Sequence, residues 1–215
     1  MGLYPGDHTM MIVHHLNNSR SQRILWLLEE LDVPYEIKHY TRDAKTNLAP
    51  PELLSVHPLG KSPMIEVNGR VISESAAIVE YICSIHGPQL IPDAGSDAYV
   101  SHQELMHFAE GSAMTPILLA LYVGQFGTAG KPLEPRIQQQ LQSHFSYMEN
   151  TLRPSGHFVL DGLSAVDIMM SFPAEVAIKQ GRGEALPNLA AFVKNLQARP
   201  AYQAALTKGG PYKFA

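Results

Sequence analysis

The dipeptide Asn68-Gly69 stands between two β-branched runs, Met64 to Val67 and Val71 to Ile72, and constrains the fold more than any other stretch. Both residues tolerate positive φ, as the two-residue turn of a tight hairpin requires, so the segment predicts a pair of antiparallel strands. Ser73, Glu74 and Ser75 follow, and then Ala76, Val79, Ile82 and Cys83 recur at helical spacing. Polar side chains thus gather where a new helix leaves backbone N–H groups unsatisfied, which favours an anion. Pro63 opens the first strand without a ladder donor, so an edge position or a cis bond is expected there.

Upstream, Met10 to Val13 is a short apolar run ended by His14-His15 and predicts a first strand. Asn17, Asn18 and Ser19 are N-cap types, and Ile24, Leu27, Leu28 and Leu31 share a helical face, predicting a helix from Ser19 to Leu31. Residues 34–40 alternate, with Tyr35, Ile37 and His39 opposite Glu36 and Lys38, as a second strand. A short helix over 51–56 precedes the hairpin. The order β-α-β-α-β-β-α describes a mixed sheet with helices packed on it. Gly60-Lys61-Ser62 is not a nucleotide-binding P-loop, which needs a glycine at Ser55 and a helix where Pro63 and a strand stand.

Beyond Gly87-Pro88 no strand pattern persists. Residues 97–126 carry a helical pattern with expected kinks at Gly111 and Pro116. Ile137, Leu141, Phe145, Met148 and Leu152 predict a helix over 133–152, and Ser164 with Asp167 predicts a capping box opening another through Ile168, Phe172 and Val176. Helices over 187–196 and 201–206 follow, with Pro200 between them. The domain assignment is an extension over 1–9, an α/β domain over 10–87, a linker over 88–96 and an all-α domain over 97–215.

With 16 Lys and Arg against 20 Asp and Glu and no basic block, nucleic acid and anionic membrane are poor partners, and small-molecule chemistry fits better. The longest apolar run, Ile117 to Val123, is too short to span a bilayer and no leader pattern opens the chain, so a cytoplasmic location is expected. Cys83, the one cysteine, falls on an apolar helical stripe and is expected to be a packed thiol. The ten histidines show no metal-ligand spacing, so no metal is expected.

Asn17-Asn18-Ser19-Arg20-Ser21 ahead of Trp26-Leu27-Leu28-Glu29-Glu30-Leu31, then Pro58-Leu59-Gly60-Lys61-Ser62-Pro63, Glu74-Ser75 and Ser164-Ala165-Val166-Asp167 follow in an order that resembles the cytosolic glutathione transferases. The resemblance is to their theta-like and bacterial or fungal group and covers essentially the whole chain. It implies a thioredoxin-like first domain, an α-helical second domain and a homodimer. Pro63 is similar to the family's cis-proline, and the backbone of Ser62 to the group that pairs with the cysteinyl part of glutathione. Glu74 and Ser75 resemble the pair that holds the γ-glutamyl end, while Lys61 and His57 would face the glycyl carboxylate. Ser19 resembles the hydroxyl that activates the thiol. No tyrosine or cysteine stands in that turn, and Asn17 and Asn18 offer competing amides.

A free thiol near pKa 8.5 is only a few per cent thiolate at neutral pH, so such an enzyme must favour the anion. A donor near Ser19, at the positive end of a helix, would do so; lowering the pKa by two units requires about 2.7 kcal/mol. Arg20 would add a positive field, and solvent can take the proton. The expected activity is attack of the thiolate on hydrophobic electrophiles, with reduction of organic peroxides as a second activity. The alternatives are a non-catalytic glutathione-binding protein of this fold, or a glutathione-dependent thiol-disulfide oxidoreductase or lyase. The acceptor substrate is expected at Leu16, Phe108, Gly111, Met114, Thr115, Leu118 and Tyr212, with Phe214 closing over it.

Overall fold

The computed structural model describes residues 10–215, so the expected extension over 1–9 lies outside the described residues. The chain divides into two compact units, the first running to Ile82 and taking in Pro200–Lys213, the second comprising Cys83–Arg199 with Phe214–Ala215.

In the first unit, β1 (Met11–Leu16), β2 (Tyr35–Tyr40), β3 (Met64–Val67) and β4 (Arg70–Ser73) form one sheet in the order β2-β1-β3-β4. β1 pairs parallel with β2 and antiparallel with β3, and β3 with β4 makes the hairpin through Asn68 (φ 51°) and Gly69 (φ 71°). The paired residues Ile37, Val13, Ile65 and Ile72 form one apolar row across all four strands. β1 runs on through His14 and His15 to Leu16, so those histidines are interior strand residues rather than its end. The alternation expected in β2 also changes at its end: His39 is exposed, while Tyr40 is buried with Leu16, Leu53 and Met64. The reason is a partner 26 residues away, because the Tyr40 hydroxyl meets His14 Nδ1 at 3.0 Å. β3 is an inner strand, and the Ser62–Pro63 bond is cis, so of the two expectations for Pro63 the cis bond is realised.

Helix α1 (Ser21–Glu30) begins two residues later than the cap pattern suggested, with Arg20 as N-cap. α2 (Ser75–His86) buries Ile78, Val79, Ile82 and Cys83. Beyond the second unit in sequence, α8 (Pro200–Gly209) returns to the first unit and lies on α1, where Trp26 and Tyr202 meet edge to face at 5.5 Å. Pro200 is its first residue rather than a spacer; a proline suits that position because the N–H it lacks would have no helical partner.

The second unit contains α3 (Asp97–Phe108), α4 (Met114–Gly124), α5 (Glu134–Thr151), α6 (Ala165–Lys179) and α7 (Pro187–Gln197). The kink expected at Gly111 is a π-helical turn, Ala109–Ala113, joining α3 to α4. Pro116 is the third residue of α4, directly after that turn, and brings no N–H to the helical ladder. α6 is buried on all faces from Ala165 to Ala177, as befits a helix at the centre of its unit. No helix among the described residues is long and apolar enough to cross a membrane.

Candidate functional site

The first unit assembles its polar residues where the cis bond, the β1–α1 turn and the start of α2 meet. Arg20, His57, Lys61, Ser62, Pro63, Glu74 and Ser75 line one open pocket. All six residues expected to bind the peptide are therefore brought together, and Arg20, expected only to act at a distance, joins them. Two side-chain cations, Arg20 and Lys61, and one carboxylate, Glu74, line the pocket at the mouth of α2. That arrangement suits a ligand carrying separated carboxylates and an ammonium.

Ser62 is held rigidly. Its buried hydroxyl donates to the His14 carbonyl at 2.8 Å and accepts from Leu16 N–H at 3.2 Å, which fixes the residue where it lines the pocket. Glu74 sits at φ 69°, a left-handed conformation that L-residues other than Asn and Asp adopt only against a penalty of about 1–2 kcal/mol. Its carbonyl accepts from Ile78 N–H at 2.9 Å, opening α2 with Ser75 buried in the first turn.

The β1–α1 turn is clamped from two sides. Arg42 donates its backbone N–H to Asn17 Oδ1 at 3.0 Å and its Nε to the Asn17 carbonyl at 3.1 Å. Lys213 N–H donates to Asn18 Oδ1 at 2.8 Å. Both amide oxygens are thus engaged in shaping the turn, and Asn18 itself sits at φ 51°. Ser19, beyond them, is buried and accepts from Ser21 N–H at 3.2 Å, while the Ser19 and Ser21 hydroxyls meet at 2.8 Å. Ser21 Oγ also lies 2.8 Å from His15 Nδ1 and accepts from Leu16 N–H at 3.3 Å. Leu16 N–H is shared with Ser62, so one short chain of hydrogen bonds joins Ser19 to the pocket floor.

Both buried histidines have pKa values below the ordinary range. His15 is pushed down to about 4, by burial first and then by His39, against a backbone hydrogen bond with Gly209. His14 is lowered by burial and Lys38, with Glu66 opposing. Both rings are neutral at physiological pH.

The residues expected to contact an acceptor substrate divide between the units. Leu16 belongs to the first and is packed with Tyr40, Leu53 and Met64 as core. Tyr212, also in the first, is half-buried. In the second, Met114 is buried core, Leu118 is half-buried, Gly111 is exposed, and exposed Thr115 donates its hydroxyl to the Gly111 carbonyl at 2.8 Å. Phe108 stacks on His144 and packs against Tyr147, and Phe214 packs edge to face on Phe172. The sequence reading missed His15, Ser21 and Arg42. The serine two residues beyond Ser19 was a visible signal for Ser21, whereas Arg42 acts across 25 residues and left none.

A family model described as the N-terminal domain of glutathione S-transferase matches residues 8–84, and one described as its C-terminal domain matches 112–200. This chain belongs to the glutathione S-transferase family. Glutathione S-transferase 3 of Schizosaccharomyces pombe is 34% identical over 216 residues, spanning 93% of this chain and 88% of that protein. Glutathione S-transferase 1 of Saccharomyces cerevisiae is 30% identical, spanning 91% and 94%. Among solved structures, a glutathione S-transferase from Actinobacillus pleuropneumoniae superposes with a TM-score of 0.86 at 28% identity, over 95% of each chain. The thioredoxin-like first unit and the helical second unit are thus those of the glutathione S-transferase fold.

Proposed function

We propose that this glutathione S-transferase binds glutathione in the pocket of the first unit and activates its thiol at Ser19 for attack on hydrophobic electrophiles. One observation carries the reading: a pocket floored by Ser62 and Pro63 is linked to Ser19 through Leu16 N–H and Ser21 Oγ. In this reading Glu74 takes the ammonium of the γ-glutamyl group, and Ser75 with the start of α2 takes its carboxylate. Lys61, His57 and Arg20 receive the glycyl carboxylate, and the Ser62 backbone pairs with the cysteinyl residue. The buried Ser19 hydroxyl and the start of α1 favour the thiolate, and the proton leaves to solvent. The thiolate then displaces a leaving group at carbon, or attacks a peroxide oxygen as a second activity. Tyr212, in the first unit with the pocket, is the candidate for contact with the electrophile. The protein acts in the cytoplasm as a homodimer, and light scattering giving a monomer mass in solution would remove the dimer.

A glutathione-binding protein without turnover is the second reading, favoured by the engagement of the Ser19 hydroxyl with Ser21. Thiol-disulfide exchange is disfavoured because the sole cysteine, Cys83, is buried in α2. Thiolate absorbance of glutathione titrated with and without the protein separates these readings. A bound thiol pKa well below the free value supports the transferase, and binding with an unshifted value supports the second reading. Absence of binding removes both.

A further inference from the structure

Three groups in the first unit form a hydrogen-bond chain whose direction the local chemistry determines: His15 Nδ1, Ser21 Oγ and Ser19 Oγ, each 2.8 Å from the next. Gly209 closes α8, so its carbonyl is one of the last four that the helix itself cannot satisfy. The Nε2 edge of His15 lies against Gly209, 3.3 Å from where a Cβ would stand. The backbone hydrogen bond between them favours the protonated ring, as a carbonyl acceptor does. Nε2 therefore carries the hydrogen of the neutral imidazole, and Nδ1 is an acceptor. It follows that Ser21 O–H donates to Nδ1 at 2.8 Å, the nearer of its two acceptors, the other being the Leu16 carbonyl at 3.2 Å. With its one hydrogen used there, Ser21 Oγ receives Leu16 N–H and the Ser19 hydroxyl hydrogen. Ser19 Oγ in turn receives Ser21 N–H.

We infer that His15, acting through Ser21, holds the Ser19 hydroxyl with its hydrogen turned inward, so that the resting site offers an incoming thiol an acceptor lone pair. Ser19 must then release Ser21 before it can donate to the thiolate. His15 and Ser21 are positioning residues that set this polarity. The inference rests on Ser19 facing the glutathione sulfur, as proposed above.

Two routes could turn the chain outward. In one, His15 takes a proton at Nδ1 and every hydrogen bond reverses. That route is opposed by roughly four pKa units between a free thiol and this ring. In the other, the Ser19 hydroxyl rotates alone and gives up one neutral hydrogen bond, equivalent to about one pKa unit. The second route wins. The relay therefore opposes thiol activation by that amount, and removing Ser21 Oγ should assist it.

The test is the pKa of bound glutathione by thiolate absorbance in the unmodified protein, Ser19→Ala and Ser21→Ala, each checked for folding by thermal unfolding. Ser19→Ala is expected to raise the bound thiol pKa by about one unit, and Ser21→Ala to lower it by about one. An unchanged value in Ser19→Ala overturns the Ser19 reading itself. A rise in Ser19→Ala together with a rise or no change in Ser21→Ala overturns the polarity alone. Should Ser21→Ala fail to fold, imidazole 15N shifts of the unmodified protein at neutral pH decide. A neutral His15 protonated at Nε2 is expected, and a ring protonated at Nδ1, neutral or charged, overturns the inference.

Discussion

Two helix starts in this protein both carry buried serines and do different things. At α6, Ser164 and Asp167 are fully buried, and the carboxylate accepts from Ser164 N–H at 2.7 Å, Ser164 Oγ at 2.8 Å and Phe158 N–H at 3.0 Å. The Ser164 hydroxyl meanwhile accepts from Asp167 N–H, closing the box. At α1 there is no side-chain cap on Arg20, and the two serines lead away from the helix to a histidine ring. A closed ring of hydrogen bonds stabilises a fold. An open chain can change direction, and so could take part in chemistry at the place proposed for Ser19.

The comparison can be broken first at α6. Asp167→Ala leaves three buried donors without their acceptor and should lower stability by about 4 kcal/mol, read from the denaturant midpoint. Turnover per folded molecule should be retained, and a loss of turnover at undiminished stability would contradict a purely structural box.

The α1 chain, by contrast, ends on a titratable group. His15 has a lower pKa folded than unfolded, so between pH 6.5 and about 4 the unfolded chain binds more protons. Stability present above pH 6.5 should therefore be lost as pH falls through that window, by about 3 kcal/mol, with His14 adding in the same direction. Unfolding midpoints measured against pH in the unmodified protein and in His15→Gln test this, since the substitution should flatten the slope.

Ser19→Ala should reduce turnover at neutral pH by roughly tenfold, the rate equivalent of one hydrogen bond to an anion at its modest end. Its effect on stability should be smaller than that of Asp167→Ala, and the reverse ranking would make α1 a cap like α6. The smallest effect is expected at α2, where Glu74 sits at φ 69°. Glu74→Gly should leave stability unchanged or raise it by less than about 1 kcal/mol, because glycine adopts this conformation freely. It should nevertheless weaken glutathione binding several-fold, measurable by calorimetry.

What the sequence disclosed follows from the range over which each interaction acts. Asn68-Gly69, the Ser164–Asp167 box and the helical stripes are local, and each could be read within a few residues. The residues expected to bind the peptide came from resemblance, and one pocket gathers all six. Interactions across the chain left no such mark. His14 and His15 look like the polar end of a strand, yet Tyr40 and Ser21 supply partners that let β1 continue to Leu16. The alternation in β2 gives way at Tyr40 for the same reason. Helix α8 follows the all-α stretch in sequence and packs with the first unit, which no local pattern could announce.

That return of α8 has a consequence for how the protein is made. Leu25 and Trp26 on α1 are emitted from the ribosome early, but their cover, from Tyr202 to Gly209, arrives only after Cys83–Arg199 has been synthesised. The Lys213 amide that braces the Ser19 turn arrives later still. The first unit is therefore interrupted in the gene rather than preceding the second, and a nascent chain stalled near residue 90 would display an uncovered apolar helix to chaperones. Completion of the β1–α1 turn therefore waits until Cys83–Arg199 and α8 have been synthesised.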